Sequence, residues 1–432
     1  MMTTAPTVFV ATSDLTGHAR GRAVPRDAHD AVLKRGVGWV PADLALTAFG
    51  DLAPNVFGST GDLRLLPDAS SGIEIPAAAD APGVLMYLAD QVLPDGTRWS
   101  CCPRTFARTA LADLKDATGL EVVASFEHEF MLPGAAGSAP FSFTRYRSAE
   151  PFGSNLVTLL GQIGLEPETW LPEFGADQFE ITLRPSDALV AADRAILLKE
   201  VVRDLAARHG RRVTFAPLPD PDGSGNGVHV HLSLRDAATG QPVLFAPDQP
   251  GRLSTIGGKF AAGMLAHARA LVAITAGSPS SYLRLKPHRW SAGGIFLAEH
   301  NREALLRICP TSTIGDGVPA EQFNLEYRAA DATANPWLVI GALVRAGLHG
   351  IQAGYETPRV WPEEVTETEL VGVPALPESL SEALAELTAD RTVAGWFHPD
   401  LRETYLAVKQ AELARVAGHD QRELCNRVAD VY

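Results

Sequence analysis

A strict alternation of side chains in residues 222–234, D-G-S-G-N-G-V-H-V-H-L-S-L, constrains the fold more than any other feature of the chain. From residue 228 onward, aliphatic residues alternate with His229, His231 and Ser233, which is the period of a β-strand with one apolar face. The glycines before the strand, Gly225 among them, let backbone N–H groups approach an anionic ligand closely. The segment predicts a binding loop that leads into a functional strand face, although a half-exposed strand after a flexible turn has the same pattern.

The length and charge of the chain limit the classes of protein to which it can belong. Its 432 residues, 46% of them hydrophobic, predict two or more domains with a large core. A formal net charge of −14 argues against nucleic acid or an anionic membrane as partner, because either would repel the chain. No apolar run approaches the roughly 18 residues of a membrane span, and the four cysteines show no Cys-x-x-Cys spacing. We therefore expect a protein of the reducing cytoplasm, without export or membrane insertion.

Proline and glycine punctuate the chain in a way that predicts two domains. The segment 7–12 is predicted as one strand of a hairpin, and short apolar runs broken by proline and glycine follow it. We expect a small β-rich domain over residues 1–100 and a larger α+β domain over residues 101–432. Pro103 suits the first turn of a helix that ends before Gly119.

Further elements are predicted within the larger domain. Residues 187–209 have the apolar spacing of a helix, on which Lys199 is expected to be a surface charge. Residues 213–216 are predicted as a strand that leads to the glycine segment. Ser379 and Glu382 are predicted to form a capping box at the start of a late helix.

Acidic residues share strand faces elsewhere in the chain. The segment 120–132 alternates so that Glu127 and Glu129 lie on one face. A later turn and strand carry Glu173 and Glu180. Two acids on one strand face repel each other unless water or a cation lies between them. These acids predict either a cation site or a solvated sheet edge.

Four arginines are predicted on inward strand faces of the second half of the chain. A buried guanidinium needs an anion beside it, although each arginine taken alone is more often a salt-bridging surface residue. The four are Arg284, Arg302, Arg307 and Arg328. Glu326 belongs to the same predicted strand as the last of them.

These side chains together predict a particular chemistry. Carboxylates with an imidazole suit Mg²⁺ or Mn²⁺, which prefer oxygen ligands, whereas the scarcity of thiolates argues against structural zinc. Several metal ions bracketed by arginines suit phosphoryl transfer, because the metals bridge phosphate oxygens and the guanidiniums neutralise charge. The chain has no Walker A motif and no kinase catalytic loop, and its glycine cluster does not match the dinucleotide fingerprint.

The order and spacing of eight motifs resemble the glutamine synthetase family over nearly the whole chain. Any one of them alone is a weak signal, but eight in order are a strong one. The motifs are D-L-T-G-H-A-R-G (14–21), F-E-H-E-F (126–130), E-F-G-A-D-Q-F-E (173–180), T-F-A-P-L-P (214–219), G-N-G-V-H-V-H-L-S-L (225–234), S-Y-L-R-L (281–285), N-R-E-A-L-L-R (301–307) and L-E-Y-R-A-A-D-A-T-A-N-P (325–336).

The resemblance implies roles for these residues. The implied metal ligands form two groups, which are Glu129, Glu173 and Glu180 in one and Glu127, His229 and Glu326 in the other. The implied ATP-binding residues are His231, Ser233, Arg302 and Arg307. The implied glutamate-binding residues are Gly225, Arg284 and Arg328. The candidate catalytic residues are Arg302, Glu326 and Trp290.

The resemblance also implies a fold, an assembly and a reaction. The family has a small N-terminal β-grasp domain and a catalytic domain with an antiparallel sheet and helices, an α+β fold. Its members form homo-oligomers of stacked rings, here expected to be a dodecamer, in which the N-terminal domain completes the neighbour's site. They activate glutamate as γ-glutamyl phosphate with ATP and Mg²⁺ or Mn²⁺, after which an amine displaces phosphate.

The chain departs from the ammonia-using members at three places. Those members have a glutamate six residues after the arginine of S-Y-x-R-L, where it helps to bind ammonium and takes its proton, but this chain has Trp290. An indole cannot accept that proton, although it can stack on an alkyl chain or hold a cation over its ring. Their ammonium-binding aspartate loop is missing near residues 39–43, and Asn324 stands where many members have a phosphate-binding arginine.

The sequence therefore favours an ATP-dependent ligase that joins glutamate to an organic amine such as ethanolamine, a polyamine or an alkylamine. An ordinary glutamine synthetase is the alternative, with Trp290 as loop packing. A non-catalytic ring is the third, and the intact ligand set argues against it. The general base for the amine, with Glu326, another acid or water as candidates, is left open.

Overall fold

Two β-sheets organise the computed structural model of the chain, which describes residues 5–78, 81–134, 138–366 and 368–432. The elements of the first sheet and its one α-helix are β1 (Thr7–Ser13), β2 (Ala19–Pro25), α1 (His29–Arg35), β3 (Val37–Trp39), β4 (Leu63–Pro67), β5 (Ile73–Ile75) and β6 (Val84–Val92). The strand order is β2–β1–β6–β4–β3, with β5 also pairing with β6. The β1–β6 pair is parallel and the other pairs are antiparallel, in agreement with the predicted β-grasp fold and hairpin.

The second sheet has nine strands and carries the predicted polar face. Its strands are β7 (Leu120–Met131), β8 (Pro167–Pro172), β9 (Gln178–Leu183), β10 (Ser186–Asp187), β11 (Val228–Asp236), β12 (Gly294–Glu299), β13 (Ala304–Ile308), β14 (Leu325–Tyr327) and β15 (Val360–Trp361). The order is β15–β12–β13–β14–β11–β7–β9–β8, with β10 pairing with β7. Most pairs are antiparallel as predicted, but β12 runs parallel to β13 and to β15.

Thirteen α-helices lie among the described residues of the larger half. They are α2 (Pro103–Thr118), α3 (Phe143–Ser148), α4 (Phe152–Gln162), α5 (Ala188–Arg208), α6 (Thr255–Ala266), α7 (Ala268–Thr275), α8 (Ser281–Arg284), α9 (Pro319–Gln322), α10 (Pro336–Gln352), α11 (Leu380–Ala389), α12 (Arg391–Ala394), α13 (Pro399–Arg415) and α14 (Gln421–Val431). The α+β class is confirmed, and none of the described helices is long and apolar enough to cross a membrane.

Helices α2, α5 and α10 pack together, and α2 and α5 also contact strand β7. The Asn335 side chain caps α10, because its Oδ1 accepts from the backbone N–H groups of Trp337 and Leu338. Pro103 begins α2 and Gly119 ends it in the left-handed conformation, as predicted. Ser379 caps α11 by accepting from the Glu382 N–H. Helices α2 and α5 thus pack against the second sheet with α10 on their other side, whereas α11 packs against α7.

Two local predictions were wrong. Residues 213–216 form no strand, because Thr214 makes only an isolated bridge with Met131. Lys199 is buried, not exposed, because its ammonium donates to the carbonyls of Gly17 (2.8 Å) and Ala332 (3.1 Å).

Contrary to the prediction, three of the four arginines do not lie on strands. Arg284 ends the short helix α8, and Arg302 lies in the turn between β12 and β13. Arg307 lies on β13 as predicted, and Arg328 directly follows β14.

Candidate active site

Strand register brings the predicted side chains together on one face of the second sheet. Directly opposed residues of neighbouring antiparallel strands have Cβ atoms about 4.5–5.5 Å apart. The opposed pairs are Glu127–His229, Glu129–Glu180, His231–Glu326 and Arg307–Glu326. Period-two alternation places these side chains away from the apolar core residues of β7 and β11, such as Phe126 and Val230.

Glu127 lies at the centre of this face. One of its carboxylate oxygens is 2.9 Å from Nδ1 of His229, and the other is 3.2 Å from Nε2 of His231. Two groups of side chains could each hold a metal ion, with ligand atoms within 4.8 Å of one another: Glu127 with Glu129 and His229, and Glu127 with His231 and Glu326. The two groups share Glu127, so the structure supports two adjacent cation positions.

Glu129 and Glu180 form an acidic cluster next to Glu127. Glu180 is buried, and burial together with the charges of Glu127, Glu129 and Glu173 raises its pKa to about 11. Glu173 lies in the turn after β8, and burial raises its pKa as well. Several carboxylates crowded together in this way fit a divalent cation, because a cation among them favours the ionised forms.

Replacing Glu180 with glutamine tests this crowding. In the metal-free protein the raised pKa of Glu180 costs stability as the pH rises from the ordinary carboxyl range toward about 11. We expect Glu180→Gln to raise the Tm of the metal-free protein above pH 5, increasingly with pH, and to reduce the Tm increase that Mg²⁺ produces. Thermal unfolding with and without MgCl₂ from pH 5 to 9 measures both effects.

The matched control for this experiment is Glu121→Gln, which removes an acid from the neighbouring strand β7, at the end away from the acidic cluster. Glu121 pairs with Lys115 and Arg235, so its loss is expected to leave the metal response unchanged. If Glu180→Gln lowers the Tm of the metal-free protein equally at pH 5 and pH 9, crowding of carboxylates is not what limits stability at this site.

Glu326 is held by two arginines. Its carboxylate accepts from Arg307 Nη1 at 2.7 Å and from Arg328 Nη1 in an even shorter contact. Burial alone would raise the pKa of Glu326, but Arg328 and the imidazoles of His229 and His231 lower it to about 2. A carboxylate held in this way is a weak base, and its charge fixes the two guanidiniums in place.

Gly225 and Arg284 face each other beside this cluster. A Cβ atom on Gly225 would lie 2.6 Å from Cγ of Arg284 and 2.8 Å from the Pro217 carbonyl, so only glycine fits. Arg284 donates Nη2 to the carbonyls of Ala329 and Ala330, while its buried Nε has no hydrogen-bond partner among the described residues. A buried donor without a partner is costly, and an anionic ligand here would satisfy it.

The remaining predicted residues lie toward the edge of the face. Ser233 donates to the Phe323 carbonyl at 3.1 Å. The Arg302 side chain is exposed, and its backbone carbonyl accepts from Arg328 Nε at 2.9 Å. Trp290 is 69% exposed in the loop between α8 and β12. The structure therefore places Arg302 and Trp290 at the rim and the carboxylates and imidazoles inside.

Sequence reasoning assigned no role to Gln178, which ties the acidic cluster to the glycine segment. Its Nε2 donates to Glu129 (3.1 Å), to the Gly225 carbonyl (2.8 Å) and to Asn226 (3.1 Å). Gln178 stands inside the motif E-F-G-A-D-Q-F-E. Its alternation with Glu180 on the same strand is the signal that could have found it.

Cys309 and Asn324 also contact the predicted site. Cys309 Sγ lies 3.7 Å from both His231 Nδ1 and Glu326 Oε2. Asn324 Oδ1 lies 3.0 Å from His231 Nδ1, so this imidazole nitrogen donates to the amide oxygen. Burial alone would lower the pKa of His231, but its contacts with Cys309 and Glu127 hold that pKa well above the ordinary value.

A sheet face that combines clustered carboxylates, imidazoles and arginines is typical of enzymes that handle phosphate groups with metal ions. The family model of the glutamine synthetase catalytic domain matches residues 100–425, and that of the glutamine synthetase N-terminal domain matches residues 4–99. The chain therefore belongs to the glutamine synthetase family, a family of ligases, and the predicted resemblance is confirmed.

Relatives in this family differ in the amine that they use. The chain is 32% identical over 438 residues to the gamma-glutamylpolyamine synthetase of Streptomyces coelicolor, covering 96% of this chain and 91% of that protein. It is 32% identical over 309 residues to a glutamate–isopropylamine ligase of a Pseudomonas species, covering 67% and 64% of the two chains. The glutamine synthetase of Thermococcus kodakarensis is 30% identical, covering 89% of this chain and 84% of that enzyme.

Solved structures share the whole fold. The crystal structure of a novel glutamine synthase homolog has a TM-score of 0.92 and 42% sequence identity, and the match covers 100% of both chains. A GmaS/ADP complex has a TM-score of 0.83 and 26% identity, covering 99% of this chain and 97% of that one.

Proposed function

We propose that this protein is an ATP-dependent ligase that joins the γ-carboxyl group of glutamate to an organic amine such as ethanolamine, a polyamine or an alkylamine. The observation that carries the proposal is Trp290, an exposed indole at the rim of a site whose carboxylates, imidazoles and arginines are all present. The likeness to a gamma-glutamylpolyamine synthetase and to a glutamate–isopropylamine ligase supports it.

The acidic side of the site is proposed to hold Mg²⁺ or Mn²⁺. The proposed ligands are Glu129, Glu173 and Glu180 at one position, and Glu127, His229 and Glu326 at the other. The crowding that raises the pKa of Glu180 supports the first position, and the 2.9 Å approach of Glu127 to His229 supports the second. The side chains whose ligand atoms converge most closely divide differently, because they place Glu129 with Glu127 and His229, and His231 with Glu127 and Glu326. When bound, the metal ions neutralise phosphate charge and align the phosphate with the attacking group. The carboxylates of this chain would fix the number and position of the ions.

The basic side of the site is proposed to bind the two anionic substrates. For ATP the residues are His231, Ser233, Arg302 and Arg307. For glutamate they are Gly225, Arg284 and Arg328. The unpaired Nε of Arg284 and the close approach of Gly225 to this side chain support a carboxylate there. Arg307 and Arg328 are pre-oriented by Glu326, which lowers the cost of ordering them during the reaction.

The acceptor is proposed to meet Trp290 before it attacks γ-glutamyl phosphate. An indole face attracts the alkyl chain or the cationic end of an amine but cannot take a proton from ammonium. The pKa of Glu326, about 2, makes it a poor base, so we propose that its catalytic role is to position Arg307 and Arg328.

Phosphate release from ATP with glutamate and Mg²⁺ tests the proposal. Ammonium is compared with ethanolamine, alkylamines, putrescine and spermidine. We expect turnover with at least one organic amine and almost none with ammonium. Equal use of ammonium would instead indicate an ordinary glutamine synthetase, which the similarity to several such enzymes keeps as the alternative. The absence of phosphate release with ammonium and with every organic amine would indicate a non-catalytic ring.

Replacing Trp290 tests the residue on which the proposal depends. We expect Trp290→Ala to lower kcat/KM for the preferred amine about two- to thirtyfold, the worth of a cation–π contact of ~0.5–2 kcal/mol. The KM for ATP should stay unchanged. Trp361→Ala, which removes an indole stacked under Arg359 at the far edge of the sheet, is the matched control. An unchanged kcat/KM in Trp290→Ala would make Trp290 loop packing.

We also propose the domain boundary, the assembly and the compartment. A boundary near residue 100 is supported by the separate sheets and by the two family matches that meet there.

A stacked-ring homo-oligomer, here a dodecamer, is supported by family membership and by three exposed apolar side chains of the N-terminal domain, which are Val40, Leu52 and Val56. A reducing cytoplasm is supported by four cysteines that are all free. Light scattering of the purified protein tests the assembly.

A further inference from the structure

The loop that carries Trp290 is held by one carboxylate, that of Glu303. The N–H of Trp290 donates to Oε1 of Glu303 at 2.9 Å, and the N–H of His288 donates to Oε2 at 3.3 Å. The Glu303 carbonyl accepts from the Gly293 N–H at 2.8 Å, so the same residue also fixes the end of the loop. Glu303 itself is oriented by Asn301, whose side-chain oxygen accepts from its N–H.

The loop needs such an anchor because of its backbone conformation. His288 has a φ of 65° and Trp290 a φ of 51°, in the left-handed region that residues other than glycine rarely adopt. In each case the N–H of the strained residue is the group that donates to Glu303. The carboxylate thus stabilises the conformation that directs the indole of Trp290.

The other side of the same peptide contacts the interior of the site. The Trp290 carbonyl accepts from Arg328 Nη2 at 2.9 Å, and Arg328 is paired with Glu326. The Trp290 backbone is therefore held between Glu303 on its N–H side and Arg328 on its carbonyl side. Among the described residues, Glu303 is in neither of the two groups of side chains at the site that could hold a metal ion. Its carboxylate is therefore not needed to bind a metal ion.

We propose that Glu303 is a positioning residue that determines acceptor specificity, by holding Trp290 at the rim in the conformation that receives the amine. The inference rests on the proposed use of an organic amine, and it deepens that proposal by assigning the part of the chain that shapes the acceptor pocket. Glu303 acts through the loop backbone and does not itself contact the reacting atoms.

Limited proteolysis tests the positioning without any assay of activity. Arg289 lies in the loop between the two anchored residues, and its guanidinium donates to the carbonyls of Gly223 and Pro221. Trypsin binds an extended segment with a free arginine side chain, so we expect it to cut after Arg289 faster when the loop opens. We expect Glu303→Ala to increase the rate of cleavage at Arg289 at least tenfold and Glu303→Gln to increase it less. The matched control is Glu299→Gln, at the end of the neighbouring strand β12, where the carboxylate pairs with Arg252.

Acceptor kinetics test the second half of the proposal on the same full-length variants. We expect Glu303→Ala to raise the KM for the preferred amine within the two- to thirtyfold range expected for the loss of the Trp290 indole itself, with the KM for ATP unchanged. Unchanged cleavage at Arg289 would overturn the positioning role, whichever amine the enzyme uses. Faster cleavage with unchanged amine kinetics would overturn the role in specificity. Failure of the proposed function is seen separately, as a preference of the wild-type protein for ammonium.

Discussion

Replacing Arg104 with methionine is expected to lower the free energy of unfolding by about 3–5 kcal/mol, the cost of leaving buried charges without their partner. The Arg104 side chain is 1% exposed. Its Nε and Nη2 donate to both oxygens of Asp193 on α5, at 3.0 and 2.7 Å. It also donates to Asp68 and Asp90, which belong to the first sheet and its turns. One guanidinium therefore joins the first sheet to the helices behind the second.

The measurement is urea-induced unfolding of Arg104→Met at several pH values. Burial alone would raise the pKa of Asp68, but bonds from Ser70 and Arg104 lower it. A lowered pKa means that this pair contributes stability above the ordinary carboxyl pKa and loses it on acidification. The deficit of the variant should therefore be full from pH 7 down to about pH 4, the ordinary carboxyl pKa, and shrink only as the pH falls below it.

Arg108→Met is the matched control, because Arg108 lies one turn further along α2 and reaches the same two aspartates. Its side chain is 29% exposed and both contacts are 3.3 Å. A surface pair of this kind contributes about 0–1 kcal/mol. If both variants lose the same stability, the Arg104 cluster does not join the two parts of the fold.

The site could be predicted where local periodicity is enough to define it. The alternation in β7 and β11 assigned Glu127, Glu129, His229 and His231 to polar strand faces, and the structure pairs those faces directly. Period two is a property of the strand itself, so it is visible in the sequence. The family motifs then connected these strands to Glu326, whose distance along the chain no local pattern could bridge.

What sequence reasoning missed depends on contacts between distant segments. Lys199 has an ordinary helical context, and it is buried because the carbonyls of Gly17 and Ala332 converge on its ammonium. Glu303 accepts from backbone groups of the loop around Trp290, and such contacts leave no signature in residue type. Gln178 shares its strand face with Glu180, but its partners Glu129, Gly225 and Asn226 lie on other segments. The Arg104 cluster likewise unites α2, α5 and the first sheet. Side-chain partners of this kind follow from the packing of elements, which the sequence alone did not define.

Replacing Arg328 with lysine is expected to lower kcat/KM for glutamate by about 10²–10³, the usual loss when a preorganised donor is removed from an active site. Arg328 is buried, and its fork donates to the Arg302 carbonyl, the Trp290 carbonyl and Glu326 at once. A lysine keeps the charge but cannot reproduce three donors in one plane. The rate of phosphate release at varied glutamate, with the preferred amine and ATP in excess, measures the effect.

Arg269→Lys is the matched control, because it shows what is lost when an arginine with several hydrogen bonds outside the site is replaced by lysine. Arg269 has a comparable set of partners, Glu382, Glu386 and the Ala375 carbonyl, but lies between α7 and α11, away from the polar sheet face. We expect Arg269→Lys to change kcat/KM less than about twofold, because exposed ion pairs contribute little. Since Arg328 joins Glu326 to the Trp290 loop, its lysine variant should impair both glutamate binding and amine selection. A variant that lost only stability, with normal kcat/KM, would show that this link holds the fold together but does not align the substrates.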